Sequence, residues 1–211
     1  MFPPQPHRAP PEDDFEEAAV NRNGTSPRML VVVLLSTLAL LGGALPAQAA
    51  SDPYCGIRWG SLPESQPPAS PWGTITDVRT GQHPCFDRLV VDLQGAEGSA
   101  GYFVRYVDQV GAQGSGTPVP VRGGAVLQVV VQAPAYDDTY EPTYQPADRT
   151  EVVDVTGART LRQVAWGGSF EGQTTLAVGT RARLPFRVFV LAGAPGQPDG
   201  ARVVVDVAHR W

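Results

Sequence analysis

The stretch Arg88-Leu-Val-Val-Asp-Leu93 returns near the end of the chain as Arg202-Val-Val-Val-Asp-Val207. Side chains alternate between the two faces of a β-strand, so each copy places apolar residues on one face and an Arg and an Asp on the other. In the first copy the apolar face consists of Leu89, Val91 and Leu93. Both copies are therefore predicted to be strands with one face in a core.

The repeat also predicts which strands are neighbours. If the two copies pair antiparallel and in register, Arg88 faces Asp206 and Asp92 faces Arg202. An exposed pair of this kind contributes only about 0.2–1 kcal/mol, but opposite charges at facing positions help to fix the register. The sequence thus predicts that these two strands share one sheet.

Other segments of the chain also have the composition and alternation of β-strands. From residue 50 onward valine outnumbers leucine, and β-branched side chains suit a pleated surface. Short alternating runs are separated by Gly, Pro, Asp and Ser, which favour turns. In addition to 88–93 and 202–207, these runs predict strands at 74–79, 102–107, 125–132, 151–155, 160–166, 170–178 and 186–191. Strands of this number predict an all-β domain, either a β-sandwich or a closed barrel.

Composition narrows the class of protein. The chain has 211 residues, and all 16 of its cationic Lys or Arg side chains are Arg. Its formal net charge of −5 argues against a basic nucleic-acid-binding protein. Hydrophobic residues make up 42% of the chain, which excludes a disordered acidic tail. A globular domain rich in turns is expected.

The N-terminal residues have the pattern of an export signal. Residues 1–28 are polar and Pro-rich and are predicted to be a disordered leader. Residues 29–49 follow Arg28, are apolar and end in Ala47-Gln48-Ala49, which is typical of a signal peptide cleaved after Ala49. The alternative is an uncleaved anchor, which would be the chain's only contact with a membrane. We expect a secreted or cell-envelope protein in which residues 50–72 form a Pro-rich tether.

The chain contains two cysteines, Cys55 and Cys85. An even number of cysteines in an exported chain predicts a disulfide, worth about 3 kcal/mol through loop closure. A metal pair is the first alternative, but beyond residue 50 the only histidines are His83 and His209 and there is no Cys-x-x-Cys spacing. A catalytic thiol, the second alternative, needs a nearby base and a reducing compartment.

The sequence predicts no catalytic residue, no metal site and no cofactor. The Gly-x-Ser-x-Gly motif of serine hydrolases is absent, and the glycines at 111–116 lead to prolines instead of a phosphate-binding helix. Asp137, Asp138 and Glu141 are adjacent acids of the kind that occupy solvated turns. We therefore expect a protein that is not an enzyme.

One segment has the composition of a binding loop. Residues 134–149 combine tyrosines with acidic side chains, and the predicted binding residues are Tyr136, Asp137, Asp138, Tyr140 and Tyr144. Tyrosines stack on sugars or pack against a partner, while carboxylates accept hydrogen bonds from hydroxyls and amides. The alternative is a polar hairpin loop whose tyrosines cover the edge of the sandwich. Trp59 and Trp166 are expected to pack in the core.

Several blocks of the sequence resemble the AMIN-like domain of exported actinobacterial proteins. The matching blocks, which together span about residues 55–211, are Trp59-Gly60-Ser61, 83–93, 101–107, 168–172, 185–189 and 202–207. The resemblance implies a single β-sandwich of about 8–9 strands over residues 73–211, related to the AMIN domain of cell-envelope proteins. AMIN domains are non-catalytic modules, some of which bind peptidoglycan. Two departures from the pattern are Ser169, where an acidic residue is usual, and a longer, Tyr-rich segment at 133–150.

Three hypotheses follow for the function. The first is an exported, non-catalytic domain that binds cell-wall glycan, such as peptidoglycan, or an envelope protein. The second is a structural or scaffold domain acting through protein–protein contacts made by the Tyr/Asp loop. The third is a small-ligand carrier that uses the interior of the sandwich.

Overall fold

The structure, a computed structural model, describes residues 53–67 and 72–211. The predicted leader 1–28 and signal peptide 29–49 lie outside the described residues. Within the described part of the chain, no helix is long and apolar enough to span a membrane.

The described fold is all-β, as predicted, with one short 3-10 turn at Tyr54–Gly56. Its strands, in chain order, are β1 Glu64–Gln66, β2 Thr74–Gln82, β3 Phe86–Gln94, β4 Tyr102–Val107, β5 Val110–Gly111, β6 Pro118–Val119, β7 Ala125–Val131, β8 Leu161–Phe170, β9 Gln173–Thr180, β10 Phe186–Ala194 and β11 Gln197–Ala208. A five-stranded sheet has the order β1-β4-β7-β9-β8, and a four-stranded sheet has the order β10-β11-β3-β2. All pairings are antiparallel. The two sheets form a sandwich, which confirms the predicted architecture.

The core lies between the two sheets because each strand turns its apolar residues inward at every second position. Leu89, Val91 and Leu93 of β3 are at most 1% exposed, and they pack in one cluster with Leu127 and Phe186. The interior is therefore filled by side chains. The hypothesis of a carrier with an internal ligand cavity gains no support from this packing.

One predicted strand is wrong. Residues 151–155 form no strand and bend at Val152 and Val153, although the backbone N–H of Val152 donates to the carbonyl of Val164 at 2.8 Å. The cause is Asp154, whose Oδ1 accepts the backbone N–H of Thr156 at 2.8 Å and closes a turn. Local side-chain bonds of this kind compete with a β-ladder. The valines of this segment still pack against the core.

Strands β3 and β11 are neighbours in the register expected from the repeat: Arg88 lies opposite Asp206, and Asp92 opposite Arg202. Of the two expected ion pairs, Arg88 with Asp206 forms, whereas Asp92 with Arg202 does not. Asp206 accepts bonds from Arg88 Nε at 2.6 Å and from Arg187 Nε at 2.8 Å, whereas Asp92 binds Arg79 at 2.6 Å. Arg202 donates instead to the backbone carbonyls of Ala192 and Gly193 at the end of β10.

These ion pairs are not the exposed pairs that the repeat suggests. Asp206 is 0% and Asp92 is 2% exposed. Both lie on the outer face of the four-stranded sheet, where long arginine side chains cover them, and the two arginines that bind Asp206 also pack on the ring of Phe189. A carboxylate buried in this way needs its partners, so each pair matters for stability.

The segment before residue 68 is part of the fold. Its strand β1 pairs with β4, and Gly60 forms a bridge with Phe186. The predicted disulfide joins Cys55 to Cys85, with a Cα–Cα distance of 6.4 Å. Residues 53–67, expected to belong to a tether, therefore extend the domain beyond its predicted start at residue 73.

The sandwich has two distinct ends because its long strands run from one to the other. Residue 72, the β8–β9 turn and the loop after β7 meet at one end, which we call the aromatic end. The disulfide, the loop between β9 and β10 and residues 209–211 meet at the other, which we call the disulfide end. The strands β5 and β6 form a separate ribbon, and Val110 from this ribbon packs on the outer face of the five-stranded sheet.

Candidate functional site

An open cleft of about 540 Å³ lies at the aromatic end. It is lined by Trp72 and by residues of the loop after β7, among them the acidic Asp137 and Asp138. We call it the aromatic cleft. Four of the five predicted binding residues line it: Tyr136, Asp137, Asp138 and Tyr140.

The tyrosine wall of the aromatic cleft is a stack of two rings. Tyr136 and Tyr140 have ring centroids 5.7 Å apart and an angle of 22° between the ring planes. Tyr140 is 81% exposed, whereas Tyr136 is half-buried. The hydroxyl of Tyr136 accepts the backbone N–H of Gly172 at 3.2 Å. The inner ring is thereby fastened to the β8–β9 turn, and it supports the outer ring in solvent.

Asp137 holds the loop that carries these tyrosines. Its Oδ1 accepts bonds from Thr139 N at 2.8 Å, from Thr139 Oγ1 at 2.7 Å and from Glu141 N at 3.0 Å. The bonds from Thr139 and Glu141 lower the pKa of Asp137, so the carboxylate stays ionised well into the acid range. With Asp137 Oδ1 fully engaged, the solvent-exposed Asp138 is the freer acceptor for a ligand hydroxyl or amine.

The loop adopts a backbone conformation that is unfavourable for a large side chain. Tyr140 has a φ of 64°, in the left-handed region that favours glycine. Its N–H donates to the carbonyl of Asp137 at 2.9 Å, and the bridge between Tyr136 and Pro142 closes the hairpin around it. Strain of this kind at an exposed aromatic residue is a feature that folds retain at binding sites.

Tyr144 has a different role from the other predicted binding residues. Its ring lies 5.6 Å from that of Trp166, and it packs against the core. Burial, aided by the negative charge of Asp77, raises the pKa of Tyr144 to about 12. Both roles considered for the tyrosines are therefore present in the loop. Tyr144 covers the edge of the sandwich, whereas Tyr136 and Tyr140 line the cleft.

Trp72, at the end of the predicted tether, lines the cleft although it is not among the predicted binding residues. Its indole is 52% exposed and packs over Gly172, where an added Cβ would come within 2.9 Å of the ring. Gly172 has a φ of 75° in the tight β8–β9 turn, so glycine is favoured there by conformation as well as by space. The only sequence signal for a role of Trp72 in the cleft was its position beside Gly73 at the end of a Pro-rich stretch.

Ser169 connects the loop to the sheet. Its Oγ accepts the backbone N–H of Ala135 at 2.9 Å and lies 2.9 Å from Thr174 Oγ1. The residue that departs from the family pattern therefore has a structural partner in this chain. It anchors the base of the loop that carries Tyr136.

The described residues hold no group of three or more His, Cys, Asp or Glu side chains arranged to bind a metal ion. What the site offers instead is aromatic ring faces beside carboxylate acceptors. Such a surface suits neutral, hydroxyl-rich or amine-bearing ligands.

A family model for the AMIN-like domain matches residues 73–209 of the chain. No curated protein and no solved structure shows a significant match. The matched range begins at the base of the aromatic cleft and ends within the last residues of the sandwich. It also contains both copies of the Arg-φ-Val-Val-Asp-φ repeat and the whole Tyr/Asp loop. By this match over most of its length, the chain belongs to the AMIN-like domain family.

Proposed function

We propose that this protein is a non-catalytic cell-envelope domain that binds cell-wall glycan through the aromatic cleft. The family places it among domains related to the cell envelope, and the disulfide between Cys55 and Cys85 is consistent with an extracytoplasmic location. The proposal depends mainly on one observation. Tyr140, stacked on Tyr136, is exposed and lines the same open cleft as Trp72.

The geometry of this cleft suits a sugar ring. Pyranose rings present C–H groups on one face, which pack against aromatic faces, while their hydroxyl and acetamido groups need hydrogen-bond partners at the edge. Asp138 and the backbone of the loop supply acceptors in the lining of the cleft. Because the loop is closed by its own hydrogen bonds, little conformational entropy is lost on binding.

The direct test is co-sedimentation of the purified protein with peptidoglycan sacculi. The double variant Tyr136→Ala/Tyr140→Ala is expected to lose about tenfold or more in affinity, since each lost ring contact is worth about 1 kcal/mol. Leu62→Ala is the matched control, because Leu62 is similarly exposed at 76% and lies outside the cleft. This control is expected to bind like the wild type.

Further variants separate the cleft from a general effect on folding. Tyr144→Phe keeps the inward-facing ring, so it should not change glycan binding. Asp137→Ala removes three loop hydrogen bonds and should weaken binding, with little change in melting temperature because the loop is exposed. Equal retention of the wild type and Tyr136→Ala/Tyr140→Ala would contradict the proposal. If the wild type is not retained at all, the scaffold hypothesis would be favoured instead.

A further inference from the structure

A second cleft, of about 450 Å³, lies at the disulfide end. It is lined by the aromatic rings of Tyr54, Trp59 and Trp211 and by the guanidinium groups of Arg58 and Arg210. We call it the arginine cleft. None of the described residues that line it carries a carboxylate side chain, in contrast to the acidic lining of the aromatic cleft.

The aromatic rings of the arginine cleft are held by hydrogen bonds at their polar edges. Trp59 Nε1 donates to the carbonyl of Tyr54 at 2.9 Å, and Trp211 Nε1 donates to the carbonyl of Arg183 at 3.3 Å. The turn that contains Tyr54 is joined to the β2–β3 hairpin by the disulfide. The edges of the indoles are therefore occupied, while Trp211 remains 71% exposed.

The cations of the arginine cleft have no carboxylate partner in the part of the chain that the structure describes. Among the described residues, neither Arg58 nor Arg210 has a carboxylate within salt-bridge distance. The Arg210 guanidinium lies 4.6 Å from the centre of the Tyr54 ring. This contact orients the group and leaves its N–H donors free, since a cation–π contact uses the face of a guanidinium.

A third cation extends this positive region toward the outer face of the sheet. Arg187 lies 5.5 Å from the Trp59 ring and shares the single carboxylate of Asp206 with Arg88. Two guanidinium groups on one carboxylate leave a net charge of about +1 beside the cleft. The positive potential therefore comes from arginines both in the cleft and next to it.

From these contacts we infer that the arginine cleft binds an anionic group, a carboxylate or a phosphate, of a ligand whose apolar part packs on Trp59 and Trp211. Guanidinium groups bind both anions through paired N–H donors, and they are more weakly hydrated than ammonium groups. The site goes beyond the proposed glycan binding, because it lies at the other end of the sandwich and shares none of its residues.

The test is isothermal titration calorimetry of the purified protein at low salt with polyglutamate and with polyphosphate. The double variant Arg58→Gln/Arg210→Gln is expected to bind about tenfold more weakly or worse, because charged hydrogen bonds are lost. Arg105→Gln is the matched control, since Arg105 is exposed and its Nε donates to Gln128. This control is expected to retain nearly wild-type affinity, with only a small loss from the removal of one positive charge outside the cleft.

Each outcome decides something. Binding of polyglutamate alone identifies a carboxylate ligand, binding of polyphosphate alone identifies a phosphate ligand, and either result supports the site. The inference is overturned if neither polymer binds, if Arg58→Gln/Arg210→Gln binds like the wild type, or if Arg105→Gln loses as much affinity. The variant Tyr136→Ala/Tyr140→Ala should bind the polyanion normally, so that failure of this site and failure of the glycan proposal are distinguishable.

Discussion

Asp87 Oδ1 lies 3.1 Å from His209 Nε2, and both side chains are almost completely buried. The second carboxylate oxygen, Oδ2, accepts the backbone N–H groups of Thr160 and Leu161 at 2.5 and 3.1 Å. One carboxylate thus connects β3 to the start of β8 and to the last residues of the chain. The sequence alone gave His209 no structural partner.

Replacing this carboxylate should strongly destabilise the domain. Asp87→Ala leaves two buried backbone donors unpaired, and each costs about 1–3 kcal/mol. We expect the free energy of unfolding to fall by about 2–5 kcal/mol in urea titrations. Asp154→Ala is the control, since Asp154 makes one local bond in an exposed turn, and it should cost less than about 1 kcal/mol. Similar losses for the two variants would show that Asp87 has no special role.

Asp206 offers a second stability test, because two arginines depend on it. Asp206→Asn removes the charge between Arg88 and Arg187, and breaking a buried pair of this kind costs about 3–5 kcal/mol. The exposed pair of Arg122 and Glu151 provides the comparison. Glu151→Gln should cost at most about 1 kcal/mol. Thermal unfolding of the two variants side by side would measure the difference, and a mild effect of Asp206→Asn would refute the assigned role.

Glu64 predicts a dependence of stability on pH. Burial raises its pKa above the ordinary value of 4.5, and the hydrogen bond from Val188 N opposes part of that rise. Because the folded pKa is the higher one, its contribution is fully present below pH 4.5 and is lost as the pH rises through the folded pKa. Glu64→Gln, which keeps an acceptor for Val188, should therefore gain stability over the wild type as the pH rises from 4 to 7. A difference that is constant with pH would exclude this explanation.

Tyr144 makes an analogous prediction at alkaline pH. Its pKa of about 12 in the folded protein lies above the ordinary value of 10.0. Stability should therefore fall between about pH 10 and pH 12, as the unfolded state ionises first. Burial also raises the pKa of Tyr102 and of Tyr106, so ultraviolet titration of Tyr144→Phe should show one late-ionising tyrosinate fewer than the wild type. Ionisation of all tyrosines near pH 10 in the folded protein would contradict the burial of Tyr144.

The disulfide is expected to stabilise the domain by about 3–4 kcal/mol, given the 30-residue separation of its cysteines. The double variant Cys55→Ser/Cys85→Ser should lower the midpoint of urea unfolding by the corresponding amount. Reduction of the wild type under the same conditions should match the variant. Reductant should not change the urea midpoint of the double variant. A shift of that midpoint would show that the reagent acts on something other than the disulfide.

Most of the sandwich could be predicted because its strands alternate in a regular way. The charged repeat was sufficient for the register of β3 with β11, since a slip by one residue would move Leu89, Val91 and Leu93 out of the core. It was not sufficient for the partners of Asp92 and Arg202. Those are decided by β2 and by the end of β10, the strands that precede β3 and β11 in the chain, and the repeat carries no information about them.

The features that could not be predicted depend on single side-chain contacts or on packing between segments that are distant in sequence. Strand β1 has only three residues in a Pro-rich stretch, so no alternation can be recognised there. The turn at Asp154 depends on one side-chain hydrogen bond. In the aromatic cleft, composition identified the tyrosines of the loop, but Trp72 joins them only because it packs on the β8–β9 turn, which belongs to the other sheet.

The described chain begins and ends at the same end of the molecule. Residues 53 and 211 both lie at the disulfide end, and the nine residues of β2, at about 3.3 Å each, carry the chain about 30 Å to the aromatic end. A domain attached through either of these positions would therefore act as a spacer between that point and the aromatic end. It holds its tyrosine pair about 30 Å in front of the point of attachment, facing outward, and a reporter fused at either position would leave that face unobstructed.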